Sequence, residues 1–370
     1  MLQIIQISRM VSASKPLVKT LITASKLTKL KQIYQKIRTA SKFALLRICV
    51  KSPKLSSLYY VLSSSAMERE HQGVIYGRLQ YQENLISLKP QYLLRRNTHR
   101  LEKGLIMRPR RDIFALDYIE ETVAAYQDLL NRDSDSESHS ELKWAHDVLQ
   151  EYFSVVAEHP VINRAKAVFT ELRGIESEQK YIPYHRDLES LPSIDYEQFL
   201  ALSQRRRSVR WYLPQPVPRE LIDKAITAAA LAPSACNRQP FEFRVFDDPE
   251  LIQKVGSIPM GTIGFSQNFP ALIAVVGKLR AYYSERDRHV IYIDASLASM
   301  ALMYAFETLG LSSCPINWPD IASKEKQMRQ VLDLEPDEKV IMLISFGYPN
   351  PEGKVPFSQK KSLAEIRRYN

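Results

Sequence analysis

Arg205-Arg206-Arg207-Ser208-Val209-Arg210-Trp211-Tyr212 and, one apolar helix later, Pro233-Ser234-Ala235-Cys236-Asn237-Arg238-Gln239-Pro240 decide the reading of the C-terminal half of this chain. The first stretch gathers four arginines and a hydroxyl within six residues. Guanidinium forks hold phosphate oxygens bidentately and stay charged at any working pH. Ser208 adds a neutral donor beside them. The second stretch puts Pro, Ser and Asn at turn-forming positions, directly before the strand-like run 241–246. Singly, an arginine run reads as a solvated face and a Pro/Ser/Asn cluster as a loop. Their order and spacing carry the information.

Outward from these stretches the pattern alternates. Residues 197–205 predict a short helix leading into the arginines. Residues 218–231 predict a second, with Pro218 at its first turn and apolar positions at Leu221, Ile222, Ala225, Ile226 and Ala229. Strands are predicted over 241–246, 271–276, 312–317 and 339–346. A long helix, 293–309, carries Ala295, Ala298 and Ala301 and too few polar residues to face water on more than one side, and Gly310 stands at its C-cap. Strands alternating with helices predict an α/β fold, or an α+β sandwich.

Arg-Arg-Ser-Val-Arg, Pro-Val-Pro, an amphipathic helix, Ala-Pro-Ser-Ala-Cys-Asn-Arg-Gln-Pro and a strand, in that order, resemble the FMN-dependent nitroreductase family. The likeness runs on through residues 309–317 and Gly347-Tyr348-Pro349, and so covers about 196–370. It implies a mixed sheet flanked by helices, in a homodimer interlocked around two FMN molecules. Arg206, Arg207, Ser208 and Arg210 match the family's phosphate and ribityl contacts. Pro233, Ser234 and Asn237 match the segment that approaches the flavin of the partner subunit. Pro315, Ile316 and Asn317 match the loop under the isoalloxazine, and Lys360 matches a C-terminal cation that closes on the phosphate. Asn317-Trp318 stands where many members have an acid and a glycine, and Lys360-Lys361 where a Lys-x-Arg is usual.

The first half has a different character. Twelve lysines and arginines precede the first acid, Glu68. Of the net charge of +10 they account for more than the whole, leaving the rest of the chain at −2. Residues 1–67 therefore form a basic arm, amphipathic over Leu27, Leu30, Ile33, Tyr34 and Ile37. Three readings compete for it: a helix packed on the protein, peripheral contact with an anionic membrane, and a targeting segment. No uncharged apolar run approaches the roughly 18 residues that span a bilayer, and no secretory signal is expected. Nucleic acid is not expected, since no base-reading module accompanies the charge. Residues 68–191 predict an all-α region, with helices at 112–123, 141–153 and 161–172, a polar break at 131–138 and a linker at 180–192. Its basic cluster, Arg95 to Arg111, reads first as ion-pair partners for nearby acids, with a phosphate or nucleotide tail as the other reading. The whole divides into an arm (1–67), a helical region (68–191) and an FMN-binding domain (192–370).

Other chemistries lack their residues. Cys49, Cys236 and Cys314 are too far apart for a disulfide framework or a zinc site, which fits a reducing, cytoplasmic compartment, with membrane association through the arm left open. There is no G-x-G-x-x-G after a strand, no G-x-S-x-G and no H-E-x-x-H. Cys236 reads as a small turn residue, since no histidine is near in sequence to activate it. No catalytic acid–base residue and no metal ligand is assigned, because redox chemistry would belong to the cofactor. The expected activity is FMN-dependent, NADH- or NADPH-driven, ping-pong reduction of a small organic acceptor such as a nitroaromatic or quinone. The alternatives are another flavin redox step, dehydrogenation or reductive dehalogenation, and a non-catalytic membrane- or partner-binding scaffold with a vestigial flavin fold. The intact arginine stretch and Asn237 oppose the last.

Overall fold

A computed structural model of the chain describes residues 24–86, 91–132, 139–172, 179–188 and 193–370. The chain divides into two compact units, Met1–Arg69 and Glu70–Asn370.

In the first unit α1, Ala24–Cys49, is followed by α2, Pro53–Ser63. The chain breaks between them because Ser52 is extended and Pro53, which has no N–H to donate, can only open a helix. Ser56 Oγ donates to Cys49 O across the break at 2.9 Å. Ile33, Tyr34 and Ile37, whose spacing predicts an apolar face, are exposed rather than packed. The arm's residues 1–23 lie outside the described part.

The second unit is built on a sheet of four strands, β1 (Phe241–Phe246), β2 (Ala271–Lys278), β3 (Ser312–Asn317) and β4 (Glu338–Gly347). Their order is β1-β2-β4-β3 and every pairing is antiparallel. The one parallel element is an isolated bridge from Ser208 to Ser313. β2 and β4 are central, and successive residues of β2 alternate between two cores. Leu272, Ala274 and Val276 pack with Ile252, Val255, Met328 and Leu332, from α10 (Pro249–Gly256) and α12 (Ala322–Leu332). Ile273 and Val275 pack with Ala225 and Ala229 of α9 (Arg219–Ala230), and with Ala295, Leu302 and Phe306 of α11 (Val290–Thr308). A strand covered on both faces must be apolar at every position, as β2 is. The long apolar α11 is thus a core helix of the sandwich, ended at Gly310 (φ 76°), where a side chain would be strained.

The helical region belongs to the same compact unit. It comprises α3 (Glu68–Ile86), α4 (Gln91–Leu105), α5 (Ile119–Arg132), α6 (His139–Val155) and α7 (Pro160–Thr170). The last four bury one core around Leu94, Leu101, Tyr126, Leu149 and Tyr152. The helix expected from Asp112 begins only at Ile119. Its intended first turn is interrupted at Ala115, which has φ 65°. Phe114 instead presses against Gly104, where a Cβ would come within 2.2 Å of its ring, and stacks edge-on to Tyr152. The polar break at 131–138 and the linker at 180–192 lie partly outside the described residues; in what is described, 179–188 is irregular.

Candidate functional site

The helix before the arginines, α8 (Tyr196–Arg205), opens on a capping box between Asp195 and Gln198 and packs on α11 through Phe199 and Tyr304. Arg206, its C-cap, leaves the helix in an extended conformation and turns the chain along the β3 edge. Val209 N–H donates to Ser313 O at 3.0 Å. Buried Tyr212 then fastens the stretch: its hydroxyl donates to Val209 O (2.8 Å) and meets Ser345 (3.0 Å). Burial pushes that phenol far above its ordinary pKa, with the Ser345 bond working the other way. Asn268, from a segment where sequence analysis assigned no role, accepts from Tyr212 N–H at 3.0 Å and donates to Arg210 O.

The four arginines are not equivalent. Arg205 pairs with buried Glu307 at 3.4 Å. Arg207 donates to the carbonyls of Pro356 and Phe357, which brings the C-terminal segment alongside; exposed Lys360 follows in that segment. Arg210 lies 5.7 Å from the Phe265 ring. Arg206 is half-buried, and among the described residues no hydrogen bond or ion pair engages its guanidinium. Nearby, Ser313 Oγ is a buried hydroxyl with no hydrogen-bond partner. Burial also pushes the Cys314 thiol up, against the pull of Arg210, Ser208 and Arg206. An unengaged guanidinium, the Ser208 hydroxyl and an orphaned buried hydroxyl are the donor set an anion requires. Further along β3, Pro315 is half-buried, Ile316 buried and Asn317 exposed, and Trp318 donates its indole N–H to Glu325.

The second stretch is a strained turn. Cys236, Asn237 and Gln239 all have positive φ, 53°, 51° and 49°. Pro233 is exposed, while Ser234 Oγ accepts from Gln239 N–H at 3.1 Å and Asn237 Oδ1 accepts from Gln239 Nε2 at 3.1 Å. Three partners from elsewhere hold this shape. Asp294 of α11 accepts from Ala235 N–H (3.0 Å) and from the Tyr282 hydroxyl (3.1 Å). Arg95 of α4 donates to Asn237 O (2.9 Å), and the buried Arg238 guanidinium lies 5.0 Å from the Tyr282 ring. None of Asp294, Tyr282 and Arg95 was read as a site residue, since each is remote in sequence and only the packing brings it here.

The basic cluster of the helical region is mostly consumed by acids. Arg95 pairs with Glu141, Arg96 with Glu121 and Arg100 with Asp117, at 3.6, 3.4 and 3.1 Å. Glu102 accepts from Trp144 Nε1 at 2.9 Å and meets His99 at 3.1 Å. Among the described residues no cluster of His, Cys, Asp or Glu is arranged to hold a metal ion.

The two stretches sit at diagonally opposite corners of the sheet. Ser208 bridges Ser313 on the β3 edge, in the row that continues through Phe346 and Ala271, the first residue of β2. Pro240 O accepts from Lys278 N–H (2.8 Å) on the β1 edge, at the last residue of β2. Three strand spacings across and the length of β2 along put these anchor points on the order of 25 Å apart. One chain does not close both around a single group.

The sequence profile of the Nitroreductase family matches residues 204–263 and 264–348, which contain both stretches and all four strands. An inferred NADH dehydrogenase/NAD(P)H nitroreductase of Archaeoglobus fulgidus is 31% identical over 160 residues, 42% of this chain and 88% of that protein. Iodotyrosine deiodinase of Danio rerio is 27% identical over 231 residues, 49% of this chain and 74% of the enzyme. A solved FMN-dependent nitroreductase from Clostridium difficile R20291 is 27% identical, covering 46% of this chain and 99% of that one with a TM-score of 0.40. An α+β sandwich with an anion-binding corner places the C-terminal half among the flavin oxidoreductases. The chain belongs to the nitroreductase family.

Proposed function

We propose that the chain is an FMN-dependent oxidoreductase that acts as a homodimer and reduces a small organic acceptor with NADH or NADPH in a ping-pong cycle. The observation that carries the cofactor is the half-buried Arg206, unengaged beside Ser208 and the orphaned Ser313 hydroxyl. These residues, with Arg210 and the C-terminal Lys360, would hold the phosphate end, and Pro315, Ile316 and Asn317 would run under the ring. When bound, FMN supplies two-electron hydride transfer, and the protein's part is to bind, orient and shield. The rigid β3 edge, stapled by Tyr212 and Asn268, keeps the arginines in place without relying on the ligand.

The dimer is supported by the separation of the two stretches. Pro233, Ser234 and Asn237 would reach the partner's cofactor rather than their own chain's. Ile293 and Leu297, one turn apart on α11, are exposed in the single chain although the rest of that helix is core. Burying them against a second copy removes apolar surface from water.

The deiodinase relatives favour a second reading of the same site, reductive dehalogenation of an aromatic substrate. Purified protein is expected to be yellow and to bleach on anaerobic titration with NADH or NADPH. Release of iodide from iodotyrosine, set against consumption of a nitroaromatic or a quinone, separates the two reactions. Arg206→Glu places a carboxylate against the phosphate and costs roughly 2–5 kcal/mol of cofactor affinity, the scale for breaking a buried charge pair. Colourless wild-type protein that cannot be reconstituted with FMN, or unchanged flavin content in Arg206→Glu, would overturn the assignment.

A further inference from the structure

The first unit poses a question that a flavin site does not answer. Residues 24–67 contain nine lysines and arginines and no aspartate or glutamate. Along α1 the apolar residues Ile33, Tyr34, Ile37, Leu45 and Ile48 recur at three- and four-residue intervals, and so share one stripe. All five are exposed, Ile33, Tyr34, Ile37 and Ile48 by more than half their surface. The cations are placed about that stripe. Successive residues turn by about 100°, which puts Lys31 and Arg38 along one border and Lys29, Lys36 and Arg47 along the other. Gln32, Gln35 and Thr39 occupy the opposite face. Leu55, Leu58 and Leu62 repeat the spacing on α2, which buries no residue at all.

An apolar stripe with positive borders and a polar back matches a lipid–water boundary. Acyl chains accept the stripe, and anionic headgroups on both sides accept the cations. Nucleic acid would leave the leucines and isoleucines in water, and a cation-gathering face would suit it better than two borders. A span is excluded for α1 by its charges, which recur every few residues. We propose that α1 lies in the plane of an anionic phospholipid surface, its apolar stripe in the acyl boundary and its flanking lysines and arginines at the headgroups. Tyr34 on the stripe has an apolar ring and a polar tip, suited to the headgroup level. α2 adds apolar area to the same unit.

The test uses the full chain and sedimentation with vesicles of phosphatidylcholine, with or without phosphatidylglycerol. The protein is expected to pellet with the anionic vesicles, to stay in solution with the neutral ones, and to be released in 1 M salt, where the Debye length is about 3 Å. Replacing Lys29, Lys31, Lys36 and Arg38 by Gln is expected to lower partitioning by more than about a hundred-fold, at roughly five-fold per cation. Ile37→Asp with Ile48→Asp is expected to lower it more than about ten-fold with the charge of the borders intact. Circular dichroism and the melting transition of each variant report folding separately from binding. Absence of vesicle binding, equal binding to neutral and anionic vesicles, or full binding by either variant overturns the proposal. So does an oligomer that Ile37→Asp dissociates while vesicles are ignored, which would assign the stripe to a second copy. Retention on nucleic acid without vesicle binding overturns it as well.

Discussion

Asp294 illustrates how one side chain sets the shape of the site. It is almost fully buried, and it holds the turn of the second stretch through Ala235 N–H and the Tyr282 hydroxyl. Burial pushes its carboxyl above the usual carboxylate range, and the two hydrogen bonds and Arg238 only partly pull it back. The unfolded chain therefore ionises this carboxyl first. Stability is expected to fall as pH rises above the ordinary aspartate value near 4, and to level off once the native carboxyl has ionised too. Asp294→Asn keeps an acceptor for both donors and should abolish this part of the pH dependence, as seen in urea midpoints between pH 4 and 7. Asp294→Ala orphans two donors and should cost about 1–3 kcal/mol. Equal pH slopes for wild type and Asp294→Asn would refute the assignment. Asp147 of α6 has the opposite sign. Its burial works upward, but the Lys143 ammonium, Tyr181 N–H and His146 outweigh that and hold it below the usual range. Its stabilisation is present above the ordinary aspartate pKa and is lost as pH falls through the native value. Asp147→Asn strands a buried Lys143, and a loss of about 3–5 kcal/mol at neutral pH is expected.

At the scale of elements, glycines let α3 approach the sheet. A Cβ on Gly77 would stand 2.9 Å from Leu279 Cβ and 3.0 Å from its carbonyl carbon. One on Gly73 would meet Pro336 O at 2.9 Å. The four-residue spacing puts both on one helix face, so α3 lies with its backbone against the end of β2 and the start of β4. Gly77→Ala is expected to overpack this contact and lower stability by about 1–3 kcal/mol, measured by denaturant unfolding; a neutral or stabilising result would mean that the helix can shift outward at little cost. The same packing gives the helical region a place near the candidate site. α4 reaches the strained turn through Arg95, so Arg95→Ala is expected to reduce flavin retention through Asn237 while leaving the guanidinium set at the other corner untouched. Unchanged flavin release rates in that variant would separate the helical region from the cofactor.

For the whole molecule, residues 70–370 form one compact unit, with α3 and α4 packed on the flavin-family fold. A chain of residues 67–370 is therefore expected to melt as the full protein does and to bind FMN equally, whereas 191–370 uncovers Leu279, Tyr282 and the Asn237 turn and should lose stability or solubility. A well-folded 191–370 with unchanged flavin binding and turnover would show that the helices are an external addition. Sedimentation equilibrium checks the dimer: a flavin-loaded monomer at low concentration would exclude the two-chain site.

The four strands were legible almost to the residue because each is a run of apolar or alternating residues bounded by turn formers, and local pattern is what specifies a strand. The arginine and Asn237 stretches were legible because their chemistry is crowded into short windows. The helix expected from Asp112 was misplaced because Phe114 and Leu116 carry helical spacing while the packing of Phe114 on Gly104 bends the backbone at Ala115. Nothing local distinguishes Arg206, which stays unengaged, from Arg205 and Arg207, which are taken up by Glu307 and by the C-terminal carbonyls. Those partners lie about a hundred residues or more away in the chain. Which charge is spent and which is left for a ligand depends on contacts between distant segments, and only the folded chain decides them.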